Sequence, residues 1–108
     1  MPMTTLTPFD STTAGALTIR GGSKDGMQVA LCDPVTRIGR GLQADVVLEE
    51  PTVSRRHAII VRREDDVVLL DDNSLNGTWC NGERVTDRVV LRDGDVIGLG
   101  TAILRFSV

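Results

Sequence analysis

From Ala16 to its last residue the chain never sustains a helical period. Short runs of apolar and β-branched residues are broken by turn signals roughly every 6–12 residues. Ala16-Leu17-Thr18-Ile19-Arg20 and Met27-Gln28-Val29-Ala30-Leu31 alternate around a Gly-rich turn, which predicts a hairpin. Val35–Gly39 and Val46–Leu48 are two further short strands. Ala58–Val61 and Val67–Leu70 flank a charged tip, Arg62-Arg63-Glu64-Asp65-Asp66. Trp79-Cys80 and Arg84-Val85 flank Asn81-Gly82, a strong two-residue hairpin turn. Val89–Leu91, Asp95–Leu99 and Ala102–Val108 complete the set, the last with Ala102, Leu104 and Phe106 on one face. About ten or eleven short strands in one chain predict an all-β, two-sheet sandwich with its functional loops gathered at one end.

The interior has to be aliphatic. Hydrophobic residues make up 41% of the 108 residues, but aromatics only 3%, so Val, Leu and Ile must fill the space between the sheets. A chain of this length forms one domain with an adequate core of its own. Residues 1–15, rich in threonine and carrying Pro2 and Pro8, read as a flexible tail ahead of a domain over 16–108. No basic-plus-apolar leader opens the chain, and no apolar run nears the ~20 residues that span a bilayer. The expected location is the cytoplasm, with no membrane partner. Cys32 and Cys80 are then expected to be free thiols.

Three blocks fall where loops should be. They are Gly39-Arg40, then Thr52-Val53-Ser54-Arg55-Arg56-His57, then Ser74-Leu75-Asn76-Gly77-Thr78. Guanidinium groups, a short hydroxyl, a carboxamide and a glycine that permits a turn of backbone amides all suit a phosphate. Arg40 can hold two phosphate oxygens on one planar fork, and Asn76 can both donate to and accept from an extended peptide. A phosphorylated side chain brings about −1.5 to −2 charges near neutral pH. On spacing alone, the same residues also read as turn and salt-bridge residues.

The three blocks, in this order and followed by Asn81-Gly82, resemble the forkhead-associated (FHA) domain over roughly Leu17 to Val108. The resemblance implies a sandwich of two twisted sheets whose loops bind phosphothreonine peptides. By position, it implies that Arg40, Ser54 and Arg55 bind the phosphate, that Asn76 holds the ligand's main chain, and that Asn81 adds a second contact. Gly39, His57 and Gly77 would shape the loops. This chain departs from the family where a hydroxyl residue often precedes the asparagine. Leu75 stands there and can offer only its amide, so Ser74 is the candidate substitute. The partners implied are a phosphothreonine-containing protein or peptide and an upstream Ser/Thr kinase. The alternative is a phospho-independent interaction or oligomerisation scaffold.

Other chemistries fit less well. His57 is the only histidine and has no nucleophile-elbow context beside it, so no enzyme is expected. The span from Asp72 to Glu83 nearly fits a calcium loop, but its flanks are valine-rich and strand-like rather than helical, so no metal is expected. No Walker loop or dinucleotide pattern occurs, so no cofactor is expected. A net charge of −3 and a lack of stacking aromatics argue against nucleic acid. Trp79 is expected to pack in the core or a loop, and Asp71-Asp72 to be ordinary turn residues. Thr4, Thr5 and Thr7 are candidate phosphorylation sites. The nine residues from Thr7 to Ala16 can reach roughly 30 Å, so the domain could capture its own phosphorylated tail, or a neighbour's.

Overall fold

The computed structural model describes residues 15–108. The tail, with Thr4, Thr5 and Thr7, lies outside the described residues apart from Gly15. That glycine already belongs to the sandwich, since its carbonyl accepts the Leu31 amide at 2.9 Å.

Eleven strands form among the described residues: β1 (Ala16–Arg20), β2 (Gln28–Ala30), β3 (Val35–Gly39), β4 (Val46–Val47), β5 (Ala58–Arg62), β6 (Val67–Asp71), β7 (Thr78–Cys80), β8 (Glu83–Arg84), β9 (Arg88–Val90), β10 (Val96–Leu99) and β11 (Ala102–Ser107). They make two sheets, one of five strands in the order β9-β6-β5-β3-β4 and one of six in the order β2-β1-β11-β10-β7-β8. The all-β sandwich read from the punctuated sequence is the fold observed.

Alternation decides which side chains meet between the sheets. Leu17 and Ile19 of β1, Ile97 and Leu99 of β10, and Leu104 and Phe106 of β11 are buried on the inner face of the six-stranded sheet. Ile38, Ala58, Ile60 and Leu69 face them from the other sheet. Loop residues Leu31, Leu48, Val53, Val85 and Leu91 seal the margins. Phe106 is the one aromatic ring in this cluster, so the aliphatic core implied by composition is what fills it.

Two connections set up the ends. At the Asn81-Gly82 turn both residues have positive φ, 52° and 84°, as a two-residue hairpin with the right twist requires. The other connection was not legible as sequence. β3 and β4 pair in parallel, Ile38 with Val46 and Gly39 with Val47. Parallel strands normally need a crossover of about a dozen residues. Here residues 40–45 suffice, because the loop doubles back on itself: the Ala44 amide bonds the Gly41 carbonyl and the Asp45 amide bonds Arg37. Arg40 is thereby delivered to the rim as the first residue after β3.

Leu104 is fully buried at the centre of the six-stranded sheet, opposite Ile19 and Ile97. Leu104→Ala should therefore lower stability by about 2–5 kcal/mol. Urea denaturation should show an earlier midpoint with an unchanged slope, and a loss of less than about 1 kcal/mol would contradict this packing.

Candidate functional site

The segment Thr52–Arg55 runs along one rim of the sandwich and has few side chains of its own in the core besides Val53. Its four successive carbonyls each receive a donor from a neighbouring loop. Asn76 Nδ2 donates to Thr52 at 2.8 Å. Arg40 Nε donates to Val53 at 2.9 Å. The Arg40 amide donates to Ser54 at 2.9 Å, and the Gly41 amide to Arg55 at 3.1 Å. Residues far apart in sequence are thus brought together by main-chain acceptors.

Close approach requires the glycine at position 39. A Cβ there would overlap the Arg55 carbonyl, so any larger residue would push β3 away from the segment that Arg40 must reach. Gly77 combines φ +86° with a site where a Cβ would run into the Arg84 guanidinium.

His57 is fully buried and ties the loops to one another. Its Nδ1 accepts the Ser54 amide at 3.0 Å, and its Nε2–H donates to the Gly77 carbonyl at 2.8 Å. The two bonds fix the tautomer and engage both ring nitrogens. The backbone of His57 extends the junction: its amide bonds Ile38 and its carbonyl accepts from Asp72.

The polar atoms left facing outward follow from these bonds. Arg40 is anchored through Nε, so both terminal guanidinium nitrogens are without a partner among the described residues. Ser54 Oγ accepts the Leu75 amide at 2.9 Å, which leaves the hydroxyl hydrogen free to donate outward. Asn76 commits one amide hydrogen to Thr52 and keeps its oxygen and its second hydrogen. Arg55 is exposed beside them. Two guanidinium groups and a hydroxyl donor therefore share one rim with a carboxamide.

Four other expected residues sit differently. The Leu75 amide is engaged by Ser54 and its side chain is 87% exposed. Ser74, the candidate substitute at the ligand, is turned inward: Oγ donates to Asp71 at 2.5 Å and accepts the Gly77 amide at 2.9 Å. Asn81 is at the far end of β7. Its side chain bonds Asp95 at 2.9 Å and the Val96 amide at 2.9 Å, so it closes the β7–β8 hairpin onto β10 instead of joining the rim. Of the two packings expected for Trp79, core or loop, it takes the loop. It alternates with buried Thr78 and Cys80, lies 38% exposed on the outer face, stacks near Arg84 at 5.7 Å, and reaches the Asn76 carbonyl at 3.4 Å.

Two residues named from sequence, Thr52 within the second block and Asp71 as a turn residue, have supporting roles that sequence did not assign. Thr52 braces the rim from behind: its Oγ1 lies 2.8 Å from the Thr101 hydroxyl and accepts the Thr101 amide at 2.8 Å. Asp71 is the hub of the third loop rather than an ordinary turn residue. Its carboxylate accepts from the Ser74 amide, the Ser74 hydroxyl and the Thr78 hydroxyl, the last at 2.6 Å. Its place at the end of a valine-rich strand, followed by Ser74 in a short loop and Thr78 at the start of the next strand, was the available signal. Partial burial pushes the Asp71 carboxyl up, and these hydrogen bonds outweigh it and hold the group below the ordinary carboxylate range. Cys32 and Cys80 are both free, Cys32 exposed and Cys80 buried.

A family model for the FHA domain matches residues 36–100. The chain belongs to the FHA-domain family. Among its relatives, the oxoglutarate dehydrogenase inhibitor of Corynebacterium diphtheriae is 38% identical over 93 residues, which cover 86% of this chain and 64% of that one. The glycogen accumulation regulator GarA of Mycolicibacterium smegmatis is 38% identical over 90 residues, covering 83% of this chain and 56% of the regulator. The chain thus spans somewhat over half the length of these relatives. A solved FHA domain from a study of phosphothreonine-dependent FHA domain interactions superposes with TM-score 0.81 at 36% identity, over 89% of this chain and 97% of that one. Among the described residues of this FHA domain, no helix is long and apolar enough to cross a membrane.

Because the Asp71 carboxyl is lowered in the folded protein, its contribution is complete above the unfolded carboxylate pKa of about 4 and is lost as the pH falls through the folded value. Asp71→Asn should cost about 1–3 kcal/mol at neutral pH. Melting curves of the variant and the parent should converge as the pH drops below about 4; a gap that stays constant down to acid pH would show that the carboxylate charge is not what holds the loop.

Proposed function

We propose that this FHA domain is a non-catalytic reader of phosphothreonine, recruiting partners that a Ser/Thr kinase has marked. The observation that carries the reading is the pairing of an Nε-anchored Arg40 fork with an outward-donating Ser54 hydroxyl on one rim. Arg55 adds a second guanidinium, and Asn76 is placed to hold the ligand's main chain. Gly39, His57 and Gly77 serve by holding the loops. Ser74, Leu75 and Asn81 act through the loops rather than at the phosphate, because their polar groups are engaged within the protein. His57 is unsuited to acid–base work, since both ring nitrogens are engaged. The family supports the reading, as does the phosphothreonine-dependent binding named for the superposed domain. The ligand is a partner protein or the chain's own phosphorylated tail at Thr4, Thr5 or Thr7. The domain is taken to span residues 16–108, with Gly15 joined to its edge through the Leu31 amide, and two free thiols suit a reducing cytoplasm.

Titration calorimetry with matched threonine and phosphothreonine peptides tests this. The phosphopeptide alone should bind, and Arg40→Ala should weaken it by at least about tenfold to a hundredfold. Arg40→Lys should not restore it, because lysine has neither the Nε anchor to Val53 nor a two-pronged end. Equal affinity for the two peptides would overturn the reading. Partner binding that survives both Arg40→Ala and Ser54→Ala would favour a phospho-independent scaffold.

A further inference from the structure

Beside the rim lies a cavity of about 820 Å³ whose lining includes Arg37, Arg40, Leu42, Arg55, Arg56 and Asp72. Four of its charged side chains are arginines and one is acidic, in a chain whose net charge is −3. Asp72 is paired to Arg56 at 3.3 Å, and Arg56 is itself 80% exposed. Asp45 accepts the Arg37 amide at 2.8 Å, not its guanidinium. The guanidinium ends of Arg37 and Arg55 therefore have no acidic partner among the described residues. An arginine cluster of this kind repels itself unless an anion completes it.

The position of the cavity is informative. Arg40 and Arg55 belong to both the cavity and the rim, whereas Asn76 and Thr52 line only the rim. The phosphate position thus lies between Asn76 on one side and the arginine cavity on the other. We propose that the cavity binds a second anionic group of the same ligand, on the side of the phosphothreonine away from Asn76. The group is a second phosphate or a carboxylate side chain. Arg37, whose guanidinium has no acidic partner among the described residues, is its chief specificity-determining residue, and Arg56, already paired with Asp72, is the second. Arg37 precedes Arg40 by three residues of extended chain, about 10 Å, so the second anion falls within about two to four ligand residues of the first. Charge complementarity selects this occupant: an apolar or basic segment would leave the guanidinium cluster uncompensated.

The inference rests on the phosphothreonine reading, and the experiment separates the two. Wild-type protein and the Arg37→Gln/Arg56→Gln double variant are titrated with three sets of phosphothreonine peptides. One has neutral flanks, one has a single glutamate moved through four positions on each side, and one has a phosphoserine at the same positions. The wild type should gain about tenfold for the best phosphoserine position and less for glutamate there, a gain that shrinks in higher salt. The double variant should bind the neutral-flanked peptide within about twofold of wild type and lose the gain. An Arg37→Glu variant should turn the gain into a penalty. A protein that requires the phosphothreonine but ignores a second anion at every position overturns this inference alone. So does a gain that persists in the double variant, or a DNA oligonucleotide that binds at physiological salt while the acidic peptides show no gain. A wild type indifferent to the phosphothreonine itself overturns both readings.

Discussion

One buried imidazole sets the distance between the loops. His57 takes the Ser54 amide on one nitrogen and gives the hydrogen of the other to Gly77, so the second and third blocks are held at a fixed separation by a rigid ring. The same residue bonds Ile38 through its amide and Asp72 through its carbonyl, which adds the ends of β3 and β6 to the junction. A ring without exposure has no water to substitute for either bond, so both must be made for the fold to be stable. Everything the rim offers a ligand depends on that geometry.

On this frame the main chain does the assembling and leaves polar ends of the side chains facing out. The carbonyls of Thr52, Val53, Ser54 and Arg55 take donors from Asn76, Arg40 and Gly41. Each bond fixes one part of a side chain or loop and leaves another part facing out. The Nε anchor of Arg40 reduces the freedom of its guanidinium, so its fork is preorganised for the proposed phosphate. The Leu75 amide on Ser54 likewise orients a hydroxyl that could otherwise rotate. Leu75 thus contributes through its backbone while its side chain stays exposed, so a leucine is accommodated at a position where a hydroxyl residue is common.

Much of the fold was legible because alternation and turn chemistry are local properties. Asn81-Gly82 announced its hairpin, and the final strand announced its buried face. Residue type left Trp79 between core and loop; its place between Thr78 and Cys80 puts it on the outer face, where it packs near Arg84 and bonds the Asn76 carbonyl of the third loop. The parallel pairing of β3 and β4 was not legible, since no residue type marks a six-residue loop that doubles back. At the rim, residue types named the loops but not the direction of each polar group. Ser74 and Asn81 have suitable chemistry for a ligand, yet Asp71 and Asp95 claim their side chains. Thr52 acts through a carbonyl and a brace to Thr101, and a carbonyl has no signature in sequence.

The central claim is that separate loops converge to hold one phosphate at the rim. The most direct measurement is a crystal structure of the domain with a phosphothreonine peptide bound. The account predicts the phosphate within hydrogen-bonding distance of the Arg40 terminal nitrogens and the Ser54 hydroxyl, with the peptide main chain against Asn76. A phosphate seated away from Arg40 and Ser54, or a peptide bound through the sheet faces with its phosphate in solvent, would contradict it.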